Sequence, residues 1–579
     1  MKHTTVSRLL SAAIAAALAT GATHALAAPT VSRLTPPSTY FATGGAQASP
    51  MIARLIPGQK FDLQATIRPD TVSVAAIDTA SIQFSVDGLP VSTGVFATQT
   101  AGLTGVPAGT VVASVRGYYN LTPGVHTLTV SASDVNAASV TATGNFEVVG
   151  VTQFGRKVRN VVIMLGDGMG ASQRTAARIV TGGYTQGKAT TKLNMDTFPN
   201  TAMIMTASLD TIITDSAPGM ANYVNGNKAA SGQEGVWPDD TTDPFDNPRV
   251  EYLSEYLHRT QGKTLGLVTT ADVFDATPAA NAVHTSNRGA GAGIVDQYLD
   301  DAGLTGLTVL MGGGRKWFLP NTTSTGTGVA TDTCVNNNAL QTCLLTNASA
   351  VYNGSARTSS SDYAMLPEIQ AAWGAAPGVK DPARNLIQDF QNAGWTYAPD
   401  ATTLNGVAAA QGTKLLGLFS LSNMNVAYDK INGRRGLGAV VNDFGFPDQP
   451  LLEEMTSKAL SVLDANSPNG FVLMVEGASI DKQAHLMDTA RWITDTIEFD
   501  KAVGVAKTYA ATHADTLVIV TADHECSGAV IIGASKVTNA QLDTAIATFG
   551  ANASSNGALN GSVVSPAATA TGFNGPALR

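Results

Sequence analysis

Val158-Arg-Asn-Val-Val-Ile-Met-Leu165 runs directly into Gly166-Asp-Gly-Met-Gly170, and this stretch decides the fold. A short apolar run that ends in glycines is typical of a buried strand opening into a turn. Four similar runs follow, at Thr264–Thr269, Leu307–Met311, Phe471–Val475 and Leu517–Thr521. Longer helical patterns alternate with them, at Ser172–Val180, Leu451–Leu463 and Thr489–Ala510. The alternation predicts an α/β fold with a mostly parallel central sheet and helices on both faces.

The region before this sheet has a different pattern. Residues 28–150 contain short alternating runs, at Phe61–Ile67, Ser81–Val86 and His126–Ala132, with turn residues between them. These features predict a small all-β sandwich with an accessory or packing role. Residues 151–579 are predicted to form one larger α/β domain. Its Asn-, Ser-, Thr- and Gly-rich stretch at about 320–412 is interpreted as an insertion or cap over the sheet.

The first 27 residues are predicted to be a signal peptide. Lys2 and Arg8 precede the apolar run Leu9–Leu18, and Ala25-Leu-Ala27 matches a cleavage site. The predicted location is therefore the periplasm or the exterior, with a single-pass anchor as the alternative. The apolar run is short for a membrane span, and no later run of 18 apolar residues occurs, so no span is expected after signal removal.

Composition restricts the partners. The 579 residues are 44% hydrophobic and only 14% charged, with a net charge of −9. Nucleic-acid binding is not expected, because a phosphate backbone requires dense Lys and Arg. In an oxidising compartment Cys334 and Cys343 could pair, although three unpaired thiols is the alternative. Cys526 is then the odd one out and is expected to be buried beside the site.

Polar residues cluster just after three of the predicted strands, where open α/β sheets bind ligands. Asp167 lies in a glycine turn and could be a metal ligand or part of a simple tight turn. Asp481 and His485 are four residues apart, so a helix places both on one face, as a zinc site or as a surface pair. Asp523-His524 ends a buried run, which favours metal ligation over a structural ion pair.

Thr214-Asp-Ser216-Ala-Pro218 precedes a predicted helix, Gly219–Asn225. Ser216 could simply cap the first helical turn, ahead of a proline. The functional alternative is a serine oxygen held at the positive end of the helix and activated by a metal.

Taken together and in chain order, these motifs resemble those of alkaline phosphatases. The resemblance runs from about Lys157 to Glu525 and adds Asp275-Ala-Thr-Pro-Ala-Ala280 and Gly312-Gly-Gly-Arg315. It implies metal-dependent hydrolysis of small phosphate monoesters through a phosphoserine, and a possible homodimer. The alternatives are a phosphodiesterase or sulfatase-like relative, or a catalytically impaired surface or binding protein.

The resemblance also implies two zinc ions and one magnesium ion around a serine nucleophile, Ser216. The first zinc would be held by Asp167, Asp523 and His524, and the second by Asp481 and His485. The magnesium would be held by Asp167, Thr277 and Glu476. Arg288 would grip the phosphate oxygens, while Asp275 and Lys482 would support the metals and the phosphate.

One departure from the family pattern concerns the second zinc. The family normally supplies a third ligand, a histidine well downstream of the Asp-His motif, but no histidine follows His524. None of the eight histidines is an obvious replacement. The Ala-, Ser- and Asn-rich stretch after Gly533 predicts an incomplete or frameshifted C-terminus that lacks the last ligand. A site with two protein ligands should bind zinc weakly.

Overall fold

The computed structural model describes residues 28–37, 52–71, 74–152, 155, 157–185, 188–321, 356–435 and 446–531, with the backbone alone of 333–334 and 351–352. The predicted signal peptide, the side chain of Cys334, all of Cys343 and the stretch after Gly533 lie outside this part. The predictions made for them therefore stay predictions. In the described part, no helix is both long enough and apolar enough to cross a membrane.

The N-terminal part consists of two facing sheets. Its strands are β1 Thr30–Thr35, β2 Ala53–Leu55, β3 Phe61–Arg68, β4 Ile77–Val86, β5 Leu89–Pro90, β6 Val95–Gln99, β7 Val111–Tyr118, β8 Gly124–Asp134 and β9 Ser139–Val148. One sheet has the order β1-β3-β7-β6 and the other β2-β9-β8-β4-β5. All neighbours are antiparallel except β2 and β9. The core between the sheets includes Phe61, Phe84 and Phe146, and Trp237 and Val250 of the α/β part pack into it.

Asp62 joins the two parts of the molecule. Its fully buried carboxylate accepts hydrogen bonds from Arg116 Nη1 at 2.9 Å and from the Gly117 amide at 2.7 Å. From the α/β part it accepts bonds from the Arg249 amide and from Trp373 Nε1, each at 2.9 Å. A buried charge is stable only when it is paired and hydrogen-bonded in this way.

The central sheet is entirely parallel, which confirms the predicted fold class. Its strands are β10 Asn160–Gly166, β13 Thr264–Asp272, β14 Leu307–Gly313, β17 Trp395–Ala398, β18 Lys414–Leu418, β19 Phe471–Gly477 and β20 Thr516–Thr521. Their order is β17-β18-β14-β13-β19-β10-β20. Outside it lie two short pairs, β11 Tyr184–Thr185 with β12 Lys188–Ala189 and β15 Thr333–Cys334 with β16 Val351–Tyr352.

The helices are α1 Ala171–Gly182, α2 Ser216–Asn225, α3 Leu253–Gln261, α4 Ala276–Ala279, α5 Gly291–Asp300, α6 Ala302–Thr305, α7 Pro367–Trp373, α8 Leu386–Asn392, α9 Ala401–Gly406, α10 Ala427–Arg434, α11 Leu452–Asn466, α12 Ser479–His485 and α13 Thr489–Thr512. Two 3-10 turns lie at Asn194–Thr197 and Arg315–Phe318. Strand β10 shows why both faces need helices. Val162 and Met164 belong to one buried cluster, while Ile163 and Leu165 belong to another on the opposite face. Each such side chain contributes about 1.5–3 kcal/mol when fully buried.

Part of the predicted insertion belongs to the sheet. Trp395–Ala398 lies within the 320–412 stretch, yet it pairs with Lys414–Leu418 as the edge strand. Trp395 packs edge-on against Phe390 of the preceding helix, which explains why so short a segment is held there. This strand is therefore part of the central sheet and not of a cap over it, while the interpretation of the stretch as an insertion stays a prediction.

Candidate active site

The polar clusters predicted from the sequence meet at one edge of the sheet. Strands β13, β19, β10 and β20 are adjacent and parallel, so their carboxyl ends lie side by side. Asp167 follows β10, Glu476 lies near the end of β19, and Asp523 follows β20. Residues far apart in the chain are thus brought together by strand order alone.

Ser216 is the first residue of helix α2 and not its cap. The cap is Asp215, whose side chain accepts a hydrogen bond from the Ala217 amide at 2.9 Å. This overturns the capping interpretation of the serine. Ser216 is buried at the positive end of the helix, where a developing or bound negative charge is stabilised.

The hydroxyl of Ser216 contacts two of the predicted metal ligands. Its Oγ lies 3.3 Å from both Oδ1 and Oδ2 of Asp167 and 3.4 Å from Nε2 of His524. The same His524 atom lies 3.4 Å from Oδ2 of Asp523. Ligand atoms of Asp167, Asp523 and His524 all lie within 4.8 Å of one another, a spacing that one metal ion could bridge.

The negative charge at the cluster of Asp167, Asp523 and His524 is not balanced by the neighbouring positive side chains that the structure describes. Burial, and then the carboxylates of Asp523, Asp481 and Glu476, raise the pKa of Asp167 well above its usual value. One oxygen of Asp523 accepts backbone hydrogen bonds from Gly168 and His524, while the buried Oδ2 accepts no hydrogen bond from the described residues. Crowded buried carboxylates with an unpaired oxygen are a fitting environment for a divalent cation.

Glu476 and Thr277 form a second group of oxygen donors near Asp167. Burial raises the pKa of Glu476 to about 7, against the opposing influence of the Thr269 and Thr277 hydroxyls. Thr269 donates a hydrogen bond to Oε2 of Glu476. The Thr277 hydroxyl lies close by but is buried without a hydrogen bond of normal geometry. Hard oxygen donors of this kind suit magnesium.

Asp481 and His485 lie one turn apart on helix α12, as predicted, with Oδ2 of Asp481 3.3 Å from Nε2 of His485. Their ligand atoms form a group with the Cys526 thiol, all within 4.8 Å. Cys526 is buried beside the site, which confirms the expectation for the odd cysteine. Burial, and then Asp481, raise the pKa of its thiol to about 12 in the absence of a cation.

Arg288 forms ion pairs with Asp215, the residue before Ser216, and with Asp275. Its Nη1 donates to Oδ1 of Asp215 at 2.9 Å and its Nη2 to Oδ1 of Asp275 at 2.7 Å. Lys482 donates to the other oxygen of Asp275 at 2.5 Å. Although burial opposes it, the two cations hold the pKa of Asp275 well below its usual range. One third of the Arg288 side chain remains exposed and can meet an anion.

Two acidic residues near Arg288, Asp215 and Glu234, were given no role by the sequence motifs. Asp215 was visible in the serine motif, but only the structure links it to Arg288. Glu234 is fully buried, and neither of its oxygens has a partner among the described residues. Burial raises its pKa well above the usual value, while Arg288 opposes the shift. Glu234 lies in a polar stretch without periodicity, so no sequence pattern indicated it.

Four described histidines lie in other environments. Each bonds elsewhere: His126 to Asp87, His258 to the Lys263 carbonyl, His284 to Glu255 and His513 to the Tyr509 carbonyl. In the described part of the chain, none of these four replaces the missing ligand beside His485.

A sequence model of the family described as alkaline phosphatase matches residues 158–349 and 359–556. The chain belongs to the alkaline phosphatase family. The match begins with strand β10 and leaves out the N-terminal sandwich, so the family relationship concerns the α/β part and its site.

Individual alkaline phosphatases and a related phosphatase were compared with this chain by sequence identity and coverage. Alkaline phosphatase H of Pseudomonas aeruginosa is 30% identical over 397 residues, which are 65% of this chain and 71% of that protein. Streptomycin-6-phosphate phosphatase of Streptomyces griseus is 31% identical over 388 residues, 63% of this chain and 73% of that protein. The solved alkaline phosphatase of the Antarctic bacterium TAB5 is 22% identical, with a TM-score of 0.45 over 66% of this chain and 83% of its own.

Proposed function

We propose that this member of the alkaline phosphatase family hydrolyses phosphate monoesters through a phosphoserine at Ser216 and releases inorganic phosphate. The observation that carries the proposal is the position of the Ser216 hydroxyl. It lies at a helix N-terminus, within 3.4 Å of both Asp167 and His524, and the preceding residue, Asp215, bonds to Arg288. A serine needs such activation because its hydroxyl is a weak nucleophile by itself.

The proposal includes two zinc ions and one magnesium ion. The unpaired oxygens of Asp523 and Asp481 and the unpaired hydroxyl of Thr277 fit a site that holds cations. Zinc would be held by Asp167, Asp523 and His524, and a second zinc by Asp481 and His485. Magnesium would be held by Asp167, Thr277 and Glu476. When bound, the metals would supply Lewis-acid stabilisation of the attacking and leaving oxygens.

The protein's own groups bind and orient the substrate. Arg288 has donor N–H groups beyond those that bond to Asp215 and Asp275, and these would hold the non-bridging phosphate oxygens. The two carboxylates fix the guanidinium plane, so little side-chain freedom is lost on binding. The positive end of helix α2 adds a favourable field at the same place.

Catalysis would proceed in two displacements at phosphorus. In the first, a bond forms between Ser216 Oγ and phosphorus while the bond to the leaving alcohol oxygen breaks, and that alcohol takes up a proton. In the second, water attacks phosphorus, the bond to Ser216 Oγ breaks, and the serine regains its proton. The burial of Ser216 and Asp167 keeps bulk water away from the phosphoserine, so only positioned water would react.

Hydrolysis of p-nitrophenyl phosphate with added zinc and magnesium tests the proposal. The wild type should turn over the monoester, and Ser216→Ala should lose at least about a thousandfold in kcat. The bis-p-nitrophenyl ester should be a poor substrate, because its second ester group removes one terminal oxygen and one negative charge that the monoester offers to Arg288 and the metals. Preference for the diester would favour the phosphodiesterase alternative, and no turnover of either ester would favour an impaired binding protein.

Location and assembly are also proposals. The N-terminal pattern of Lys2, Arg8 and the Ala25-Leu-Ala27 site supports export to the periplasm or beyond. Cell fractionation of the full-length protein in a bacterial host would test it. A homodimer is proposed on the family resemblance, and sedimentation of the purified protein would test that.

A further inference from the structure

A third side chain of a type that can bind a metal, Cys526, lies beside Asp481 and His485, and the sequence motifs gave it no role. Asp481 Oδ2 lies 3.3 Å from Nε2 of His485, and ligand atoms of Asp481, His485 and Cys526 all lie within 4.8 Å of one another. Carboxylate, imidazole and thiolate are the three side-chain types that bind zinc in proteins. The thiol reaches this group from a different strand end, so helical spacing alone could not reveal it.

Gly168 makes the close approach possible. Its carbonyl accepts a hydrogen bond from the Cys526 amide at 3.2 Å. Its φ of +63° favours glycine, and a Cβ at this position would lie 2.8 Å from both Asp481 Oδ1 and Cys526 Cβ. The turn after β10 therefore lets the Asp481 carboxylate and the Cys526 side chain both pack against the Cα atom of Gly168.

The Asp481 carboxylate supplies an independent indication of a bound cation. Asp481 is 8% exposed, and its Oδ1 is buried with no hydrogen-bond partner among the described residues. Burying a carboxylate oxygen without a partner destabilises the folded state by roughly several kcal/mol unless a bound cation compensates its charge. Within the described residues the nearest candidates to share that cation are His485 and Cys526.

We propose that the Cys526 thiolate is the third protein ligand of the metal held by Asp481 and His485. On binding, the sulfur–metal bond forms, the S–H bond breaks and the proton passes to solvent. A soft thiolate favours zinc over magnesium, so the group of Asp481, His485 and Cys526 would select zinc. The group of Asp167, Thr277 and Glu476 has only oxygen donors and would select magnesium. The inference rests on the proposed metal-dependent function, but it concerns the ligand set and is tested without reference to turnover.

Cobalt(II) substitution tests the inference directly, because a thiolate bound to cobalt gives an intense near-ultraviolet charge-transfer band. The chain has only three cysteines, so the double variant Cys334→Ser/Cys343→Ser leaves Cys526 as the sole sulfur donor of this kind. Metal-free double variant should develop the band on titration with cobalt, saturating at about one equivalent for this site. Absence of the band in the double variant overturns the inference, and this result does not depend on the folding of any Cys526 variant.

The matched variant is Cys526→Ser, checked for folding by circular dichroism. It should lose the band, and its affinity for one zinc ion should fall by about 100-fold or more, since even neighbours of a ligand contribute 10–100-fold. Unchanged zinc affinity overturns the inference. A band in wild type without hydrolysis of p-nitrophenyl phosphate would contradict the proposed function alone, whereas hydrolysis without the band would contradict the ligand assignment alone.

Discussion

The Ser216 hydroxyl lies 3.3 Å from each carboxylate oxygen of Asp167. This relationship joins the start of helix α2 to the end of strand β10, two elements that are 49 residues apart at these positions. It places a hydroxyl oxygen beside a carboxylate whose pKa is raised by burial and by neighbouring carboxylates. A cation bound to Asp167 would therefore also lie beside the serine oxygen.

The first prediction is a phosphoryl group on Ser216 during turnover. Mixing the metal-loaded protein with p-nitrophenyl phosphate, quenching with acid and mapping peptides by mass spectrometry should find the modification on this serine. The reason is that Ser216 is the hydroxyl in contact with both Asp167 and His524. Ser461→Ala, a change on an outer helix, should label like the wild type, and labelling of Ser216→Ala at another residue would contradict the assignment.

The second prediction concerns Asp275 as the residue that positions Arg288. Asp275→Asn removes the negative charge bonded to both Arg288 and Lys482. Because a charge-assisted hydrogen bond contributes about 1.5–3 kcal/mol, kcat/KM should fall by about 10–100-fold, mainly through KM. Steady-state kinetics measure the split. The control is Asp389→Asn, which breaks an arginine pair far from the site and should leave KM unchanged.

The sheet and its helices could be predicted from the sequence because their signals are local. Five of the seven central strands were apparent as short apolar runs, and the long helix Thr489–Thr512 was predicted to within two residues. The other two, Trp395–Ala398 and Lys414–Leu418, were missed. Trp395–Ala398 has only four residues in a polar stretch, which show no periodicity and are held by packing against Phe390. Tertiary packing, rather than propensity, makes this segment a strand.

The sequence predicted some of the contacts within the site but not others. Asp481 and His485 share a helix face by spacing, so their proximity follows from helical geometry. Cys526 joins them only because Gly168 and the strand order bring a distant turn alongside, which no single-sequence pattern encodes. Capping was one of the two interpretations of Ser216, but Asp215 is the cap, because Ser and Asp are equally good N-caps and the choice depends on backbone conformation.

The third prediction concerns stability as a function of pH, away from the site. Burial, and then Asp239, raise the pKa of Asp246 to about 8, and Thr241 Oγ1 lies 2.8 Å from its Oδ1. A group whose folded pKa is raised contributes stability at low pH that is lost as pH rises towards about 8. Asp246→Asn cannot ionise. Its free energy of unfolding should match the wild type near pH 4 and exceed it by at least about 1 kcal/mol at pH 8.

Denaturant unfolding at both pH values, in EDTA so that bound cations do not contribute, measures this difference. Asp243→Asn is the control, because it also removes a carboxylate from this loop, but Asp243 is exposed whereas Asp246 is buried. A stability gain for Asp246→Asn that is equal at pH 4 and pH 8 would contradict a buried protonated carboxyl.

The fourth prediction is that Asp62 holds the sandwich on the α/β part. Asp62→Ala leaves Arg116, which is 1% exposed, with an uncompensated buried charge, and it removes acceptors for Arg249 and Trp373. Breaking one partner of a buried ion pair costs about 3–5 kcal/mol, so Tm should fall by several degrees. Glu147→Ala removes an exposed partner of Arg54 and should cost less than about 1 kcal/mol. Calorimetry of both variants measures the loss in Tm. Equal losses in the two variants would mean that Asp62 contributes no more to stability than a surface ion pair. If the loss of Asp62 lets the sandwich and the α/β part unfold independently, Asp62→Ala should also show two thermal transitions where the wild type shows one.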